Sequence, residues 1–280
     1  MFEIIVAVVV LVAVILSWVC LYDMHHFVIT KKKFYSPKIR KSQRFVVLSD
    51  LHGQQYGKEN ELLLKAVCEQ EPDGVLIVGD MLTAGCAKQV KPVLSLIRKL
   101  CEKYPVYYAY GNHEQKIHGK MAESYFPELK ETGVRLLLNE SVRLADSGIT
   151  LYGTQIDRKY FRRGKEQTME DGYIETLLGS PCEETYNILL AHNPDYFLAY
   201  ARWGADLVLS GHVHGGIVRL PFLGGVISPA MKLFPKYDGG EYREKDSVMI
   251  LGRGIGTHFP GVRVFNPAEM VVLELSGKER

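Results

Sequence analysis

Five apolar runs in the sequence each end in Asp, Asn or His, and this recurring pattern constrains the fold more than any other feature. The runs are rich in residues that favour β-strands. In open α/β sheets, ligands bind at the edge formed by the C-terminal ends of the strands. The pattern therefore predicts one sheet edge lined with polar side chains. The runs occupy residues 45–52, 74–80, 106–114, 186–192 and 206–214.

Helical patterns separate the first three runs. Apolar residues recur at helical spacing within residues 59–69 and again within residues 90–101. Strand and helix in alternation indicate βαβ units, in which a mainly parallel sheet is covered on both faces. The fold class is therefore predicted to be α/β. Further short strands are predicted at 134–139, 141–144, 150–155, 247–251 and 269–275, and a charged loop or helix at 157–171.

The residues at the strand ends are suited to binding metal ions. They offer carboxylate and amide oxygens and imidazole nitrogens, a donor set that fits Mn²⁺, Fe or Zn²⁺ and lacks the thiolates of a structural zinc site. Asp50 and His52 stand two residues apart, and His212 and His214 repeat that spacing. Asp80 can bridge two cations because a carboxylate has two oxygens. Two cations about 3.5–4 Å apart clamp a phosphoryl group and acidify a water.

In order along the chain, these motifs resemble the five sequence blocks of the calcineurin-like metallophosphoesterases. The resemblance extends from Phe45 to about Leu275, and it implies a four-layer α/β/β/α sandwich that hydrolyses a phosphodiester or pyrophosphate bond. A lone Asp-x-His or Gly-Asp is usually a turn or a cap, but five blocks in order exclude that explanation. The matching blocks are Asp50-x-His52, Gly79-Asp80, Gly111-Asn112-His113-Glu114, His192 and Gly211-His212-Val213-His214.

The resemblance also implies a role for each metal-ligating residue. Two divalent metal ions are expected, with Mn²⁺ as the first choice and Fe or Zn²⁺ as alternatives, because the donor set accepts all three. One metal would bind Asp50, His52 and His214, the second would bind Asn112, His192 and His212, and Asp80 would bridge the two.

Four other residues are candidates for roles beside the metals. His113 matches the family's catalytic histidine next to the scissile phosphate, and Glu114 would orient His113 or a ligand from behind. Arg253 and His258 lie in a glycine-rich turn near the C-terminus and are candidate substrate contacts, with an ordinary loop role as the alternative for each. The glycines of that turn are not a dinucleotide fingerprint, because they open no helix.

The N-terminus carries a predicted transmembrane anchor. Residues 4–22 are almost entirely apolar, and about 19 residues suffice to cross a hydrocarbon core of ~30 Å. A cleaved signal peptide is the rival, but no Lys or Arg precedes the run and no small-residue cleavage site follows it. The prediction is therefore an anchor at residues 1–24, a basic juxtamembrane linker at 25–44 and a dinuclear-metal phosphoesterase domain at 45–280.

Charge and cysteine content place that domain in the cytoplasm. Residues 1–44 hold seven Lys or Arg against two acidic residues, and subtraction from the totals of 34 and 32 leaves 27 basic and 30 acidic residues elsewhere. The basic cluster follows the anchor, so the positive-inside rule predicts a single-pass protein with a cytoplasmic domain. Five scattered cysteines without a CxxC motif agree with a reducing compartment.

The predicted partners are the lipid bilayer and a phosphorylated, lipid-linked small molecule. Within the superfamily, the sequence looks like membrane-associated bacterial phosphoesterases similar to the metal-dependent UDP-diacylglucosamine pyrophosphatases. An apolar loop at residues 220–233 fits such a substrate. Nucleic acid is not expected, because the main body has a net charge of −3. A non-catalytic metal-binding scaffold and a nuclease or nucleotide phosphodiesterase are the alternatives.

Overall fold

Two six-stranded β-sheets pack face to face at the centre of the protein, and helices cover the outer face of each sheet. The structure is a computed structural model that describes residues 1–162, 167–220, 222–228, 233–258 and 261–278. The four layers confirm the predicted α/β/β/α sandwich.

Strands alternate with helices along residues 43–131. Among the described residues after residue 131, several strands follow one another without a helix between them. The strands are β1 Phe27–Tyr35, β2 Gln43–Leu48, β3 Gly74–Val78, β4 Val106–Ala109, β5 Arg135–Leu136, β6 Glu140–Leu144, β7 Ile149–Gly153, β8 Tyr186–Leu190, β9 Leu207–Ser210, β10 Val218–Leu220, β11 Gly224–Ile227, β12 Gly240–Glu244, β13 Ser247–Leu251 and β14 Ala268–Ser276. The helices are α1 Phe2–His25, α2 Glu61–Glu69, α3 Val90–Cys101, α4 Gly119–Glu131, α5 Tyr173–Leu178 and α6 Phe197–Trp203.

Side-chain alternation along the strands builds the layers. Phe45 and Val47 of β2 pack into the core between the sheets, whereas Val46 and Leu48 pack under the outer helices. β3 is buried along its whole length, as expected for a parallel strand covered on both faces. The first sheet has the strand order β1-β14-β2-β3-β4-β5, the second has the order β12-β13-β9-β8-β7-β6, and β10 pairs with β11 in a separate hairpin.

Residues 27–35 belong to the first sheet rather than to a linker, which corrects the predicted boundary of the 25–44 segment. β1 runs parallel to β14, with Phe27 opposite Ala268 and Tyr35 opposite Ser276. Its pairing partner lies far away in sequence, so no local pattern reveals it. Lys31 on this edge strand is exposed, and charged residues at an edge discourage pairing with other chains.

Several predicted segments differ in detail from the structure. The strand predicted at 134–139 is only two residues long in β5, and α4, α5 and β10–β12 were not predicted. The predicted loop or helix at 157–171 contains a 3₁₀ turn at Arg158–Phe161, and its residues 163–166 lie outside the described residues. Of the predicted apolar loop at 220–233, residues 221 and 229–232 also lie outside them.

Within the described residues, one helix is long and apolar enough to cross a membrane. α1 has a mean hydropathy of 3.3 over its most apolar window, and none of that window is buried against the rest of the protein. Only its last turn meets the domain, where Asp23 is buried. A helix that exposes its apolar surface over several turns is a candidate membrane span.

Candidate metal centre

The strand ends bring all the predicted metal ligands to one edge shared by the two sheets. Asp50 and His52 follow β2, Asp80 follows β3 and Asn112 follows β4 in the first sheet, while His192 follows β8 and His212 and His214 follow β9 in the second. Carboxylate oxygens and imidazole nitrogens converge there in two groups, each with its ligand atoms within 4.8 Å of one another. The groups are Asp50, His52 and His214, and Asp80, His192 and His212; a third group shares His52 and consists of histidines alone, His52, His113 and His258.

The backbone turns sharply where these side chains leave the strands. Five of the residues have left-handed φ angles, a conformation that costs of order 1–3 kcal/mol for a non-glycine residue and that clusters at functional sites. A glycine precedes Asn112 because a Cβ at Gly111 would collide with the side chain of Asp80. The five residues are Asp50 at 53°, His52 at 47°, Asp80 at 55°, His212 at 74° and His214 at 54°.

The two aspartates lie between the two groups. Asp80 Oδ2 is 3.1 Å from His192 Nε2 and 3.9 Å from His52 Nε2. Asp50 Oδ1 is 3.4 Å from His214 Nε2 and 3.8 Å from His192 Nε2. Backbone N–H groups hold both carboxylates, because His113 N donates to Asp80 Oδ1 at 2.8 Å and His212 N donates to Oδ1 and Oδ2 of Asp50 at 3.0 and 3.2 Å. Each carboxylate is therefore fixed while one oxygen faces the imidazoles.

Hydrogen bonds also fix the orientation of the imidazole rings. His192 Nδ1 lies 2.7 Å from the carbonyl oxygen of Val78, which can only accept, so Nδ1 carries a proton and Nε2 faces Asp80. His52 Nδ1 contacts the hydroxyl of Thr83 at 3.1 Å. His52 Nε2 and His214 Nε2 lie 3.2 Å apart. This arrangement, with one nitrogen held by the protein and the other aimed inward, is usual for metal-ligating histidines.

Unsatisfied polar atoms show that these residues fit divalent cations. Among the described residues, Asn112 Oδ1, His192 Nε2 and His214 Nδ1 are buried without a hydrogen-bond partner. Buried polar atoms normally have one. Burial lowers the pKa of His192, but the carboxylates of Asp80 and Asp50 outweigh that effect and raise this pKa to about 10. The site thus attracts positive charge where oxygen and nitrogen donors converge.

His113 lies beside the ligands with one ring nitrogen committed to the protein. The backbone N–H of Ala84 donates to His113 Nδ1 at 3.0 Å, so the neutral ring carries its proton on Nε2. Burial lowers the pKa of His113 to about 4, which favours that neutral form. The ring centroid lies 4.9 Å from that of His52, and the side chain is only partly buried. Its Nε2–H is therefore a donor next to the metal ligands.

The side chain of Glu114 holds the backbone around the candidate metal ligands in place through hydrogen bonds. Its fully buried carboxylate accepts hydrogen bonds at 2.7–2.9 Å from the N–H groups of Asp80, Met81 and Gly111 and from the hydroxyl of Tyr108. Burial raises the pKa of Glu114 to about 7, although four donors favour the carboxylate. The predicted orienting role thus takes the form of contacts with the backbone around Asp80, rather than with the ring of His113.

The structure separates the two residues of the glycine-rich turn. The His258 ring lies 4.7 Å from the His52 ring and 4.9 Å from the His113 ring, measured between centroids, so it lines the site. Arg253 faces the other way, with its guanidinium 3.3 Å from Glu269. His258 therefore lies beside the candidate metal ligands, whereas Arg253 pairs with Glu269 of β14.

Two buried residues that the sequence analysis missed support the His214 loop. Arg263 donates to the carbonyls of Arg253, Gly254 and Gly256, and the side-chain amide of Asn266 donates to the carbonyl of His214 at 2.8 Å. A lone Arg and a lone Asn in an irregular stretch carry no periodic or spacing signal, so sequence reasoning could not identify them.

The fold and the groups of candidate metal ligands agree with a match to a known protein family. The profile of the calcineurin-like phosphoesterase family matches residues 43–216. The chain belongs to this family.

Comparison with curated relatives gives a consistent result. The chain is 33% identical over 247 residues to an uncharacterized metallophosphoesterase of Campylobacter jejuni, covering 87% of this chain and 62% of the relative. A Helicobacter pylori metallophosphoesterase is 31% identical over 256 residues, covering 90% and 65%. The chain thus spans less than two thirds of the length of these two relatives. Phosphodiesterase YaeI of Escherichia coli is 25% identical over 239 residues, covering 83% and 82%.

One solved structure supports the fold alone. It superposes with a TM-score of 0.50 at 9% sequence identity, covering 77% of this chain and 91% of its own.

Proposed function

We propose that the protein is a membrane-anchored phosphoesterase that uses two divalent metal ions to hydrolyse a phosphodiester or pyrophosphate bond in a lipid-linked substrate. The observation that carries the proposal is the pair of adjacent ligand groups, with Asp80 Oδ2 facing histidines of both. Two such groups suit a pair of cations with a shared carboxylate. The name of the Escherichia coli relative, a phosphodiesterase, agrees with this chemistry.

The two metals would divide the ligands along the two groups. One would bind Asp50, His52 and His214, and the other His192, His212 and Asn112, whose buried Oδ1 lacks a hydrogen-bond partner. Asp80 would bridge. When bound, two divalent cations supply positive charge to the phosphoryl oxygens and lower the pKa of the attacking water. Mn²⁺ is the metal we expect, with Fe or Zn²⁺ as alternatives.

His113 would act on the phosphoryl group or its leaving oxygen. Its Nδ1 accepts from Ala84, so Nε2–H is the hydrogen available to a phosphoryl oxygen or to the departing oxygen. A positioned donor of this kind contributes typically 10²- to 10⁴-fold to a rate. Glu114 holds the Asp80 and Gly111 backbone in place. We assign the substrate contact to His258 rather than to Arg253, because Arg253 pairs with Glu269.

The N-terminal helix supports a substrate held in the bilayer. The apolar surface of α1 is exposed, and the basic residues that follow it favour a single-pass protein with a cytoplasmic domain. An enzyme fixed to the membrane raises its effective concentration toward substrates embedded there. The net charge of −3 outside the first 44 residues favours such a substrate over nucleic acid.

The test uses the full chain in detergent, stripped of metal with a chelator and assayed on an aryl phosphodiester with Mn²⁺, Fe²⁺ or Zn²⁺. We expect turnover that requires added metal and is lost in Asp80→Ala. No turnover with any divalent metal would overturn the hydrolytic proposal. Incubation with a lipid extract, followed by mass spectrometry, tests the substrate class: unchanged lipids alongside active aryl ester hydrolysis would overturn the lipid-linked substrate alone.

A further inference from the structure

A cluster of exposed apolar side chains surrounds the hairpin of β10 and β11. Monomeric soluble proteins rarely expose large contiguous apolar patches, and such patches commonly mark protein or membrane contacts. Phe222 at the tip of the hairpin is fully exposed, and Leu223 beside it is 63% exposed. We call this cluster the apolar rim; its members are Leu220, Phe222, Leu223, Leu233, Phe234, Val262 and Phe265.

Backbone hydrogen bonds join the three segments of the rim into one unit. Val264 N donates to Ile217 O, and Arg219 N donates to Val264 O, both at 3.0 Å. Phe234 N donates to Val226 O at 2.9 Å on the other side of the hairpin. The seven side chains therefore belong to one small framework rather than to independent loops.

The same framework is tied to the end of α1. Asp23, buried in the last turn of α1, accepts a hydrogen bond from Asn266 N at 2.8 Å. The Asn266 side chain donates to the carbonyls of His214 and Gly216, at 2.8 Å and 2.6 Å. One chain of hydrogen bonds thus connects the exposed apolar helix, the rim and the loop that carries two metal ligands.

We infer that the apolar rim inserts into the bilayer at the boundary between headgroups and acyl chains, beside α1, so that the two form one membrane-contacting surface. The inference rests on the proposed membrane anchorage. Phenylalanine and leucine side chains next to a membrane helix suit that boundary. The occupant is lipid rather than a second protein, because the hydrogen bond from Asn266 N to Asp23 attaches the rim to the end of the exposed apolar helix α1.

This surface would present the metal centre to the bilayer in a fixed orientation. β10 begins only four residues after His214, so the ligand loop leads directly into the rim. A lipid-linked substrate would then keep its acyl chains in the bilayer while its phosphoryl group reaches the metal ligands. A flexible linker would impose no such orientation.

Tryptophan quenching by brominated phosphatidylcholine tests the inference on the full chain in vesicles. The native tryptophans are Trp18 in α1 and the buried Trp203. In a Trp18→Phe background, Phe222→Trp places the probe on the rim. The matched control is Tyr35→Trp, also an exposed aromatic position, at the far end of β1. Eight residues of strand separate that end from Phe27, roughly 26 Å.

We expect brominated lipid to quench Phe222→Trp at least threefold more than Tyr35→Trp, with both variants hydrolysing the aryl phosphodiester at the parent rate. Equal quenching of the two would overturn the inference. If Phe222→Trp fails to fold, Leu223→Trp carries the same comparison. Quenching measured on the parent chain tests the membrane anchorage separately. Unquenched Trp18 would overturn the anchorage itself. Quenched Trp18 together with an unquenched Phe222→Trp probe would overturn only the contact between the rim and the bilayer.

Discussion

The metal-ligand edge and the apolar rim are joined in sequence, yet their side chains are stabilised in opposite ways. At the edge, Asp80 and His192 are buried and held by backbone groups, so the protein itself fixes their geometry. On the rim, Phe222 and Leu223 are ordered by the backbone of a hairpin while their side chains face outward. The difference separates a group of polar donors that the protein itself holds in place from an apolar surface that, in our proposal, contacts the bilayer.

Replacing Asp80, the carboxylate that lies between the two ligand groups, should have the largest effect. Asp80→Ala removes the oxygen that lies between the two ligand groups. We expect metal-dependent hydrolysis of an aryl phosphodiester to fall at least about 10⁴-fold, since each tenfold corresponds to about 1.4 kcal/mol and metal charge contributes several kcal/mol. The control is Glu274→Ala, which removes a carboxylate paired with Lys33 on the same sheet. Comparable losses in both variants would contradict the assignment.

Removing the proposed donor should separate metal binding from turnover. In His113→Gln we expect the rate to fall about 10²- to 10³-fold, the range for loss of a general acid, while the metal content measured by mass spectrometry stays unchanged. His118→Ala, an exposed histidine five residues away, should behave like the parent. A His113→Gln protein that loses its metals would instead make His113 a ligand.

Replacing Glu114, which holds the backbone around Asp80, should have a smaller effect, namely a lower affinity for the metals. Glu114→Gln replaces one acceptor oxygen with an NH₂ group that faces N–H donors. We expect metal affinity to fall about 10- to 100-fold, as is typical when a residue that supports metal ligands is changed. Tyr108→Phe removes only one of the four donors to the carboxylate and should cost less. The account of Glu114 fails if metal titration by calorimetry gives the parent affinity for Glu114→Gln.

The smallest effect should come from the rim, and only with membrane substrates. Leu223→Asp should lower hydrolysis of a vesicle-embedded lipid substrate about tenfold, because burying one leucine is worth roughly 1.5–3 kcal/mol. Hydrolysis of the soluble aryl ester should not change, since the side chain points away from the protein. Tyr35→Asp, at the far end of β1, provides the control. Equal losses on both substrates would show that the variant damages the edge instead.

Much of the edge could be predicted from sequence because its signals are local. Each ligand follows a predicted strand, and the turns after β2 and β9 each carry two ligands, Asp50 with His52 and His212 with His214. The four-layer architecture followed from the family resemblance, and it is confirmed. The alternation of strands and helices from β2 to β4 was also predicted, because apolar spacing there follows simple periods.

What could not be predicted depends on contacts between residues that are distant in sequence. β1 was assigned to a linker because its lysines mask the strand pattern and its partner β14 lies at the other end of the chain. The bond between Asp23 and Asn266 spans 243 residues. Arg263 supports the His214 loop through backbone carbonyls, which no side-chain motif records.

Anomalous diffraction from crystals of the full chain grown with Mn²⁺ would test the central claim most directly. The account predicts two peaks, one among Asp50, His52 and His214 and one among Asp80, His192 and His212, with Asn112 Oδ1 reaching the second. In Asp80→Ala, at least one of the peaks should disappear. A single peak in the parent protein, or a peak away from these residues, would contradict a two-metal centre at this edge.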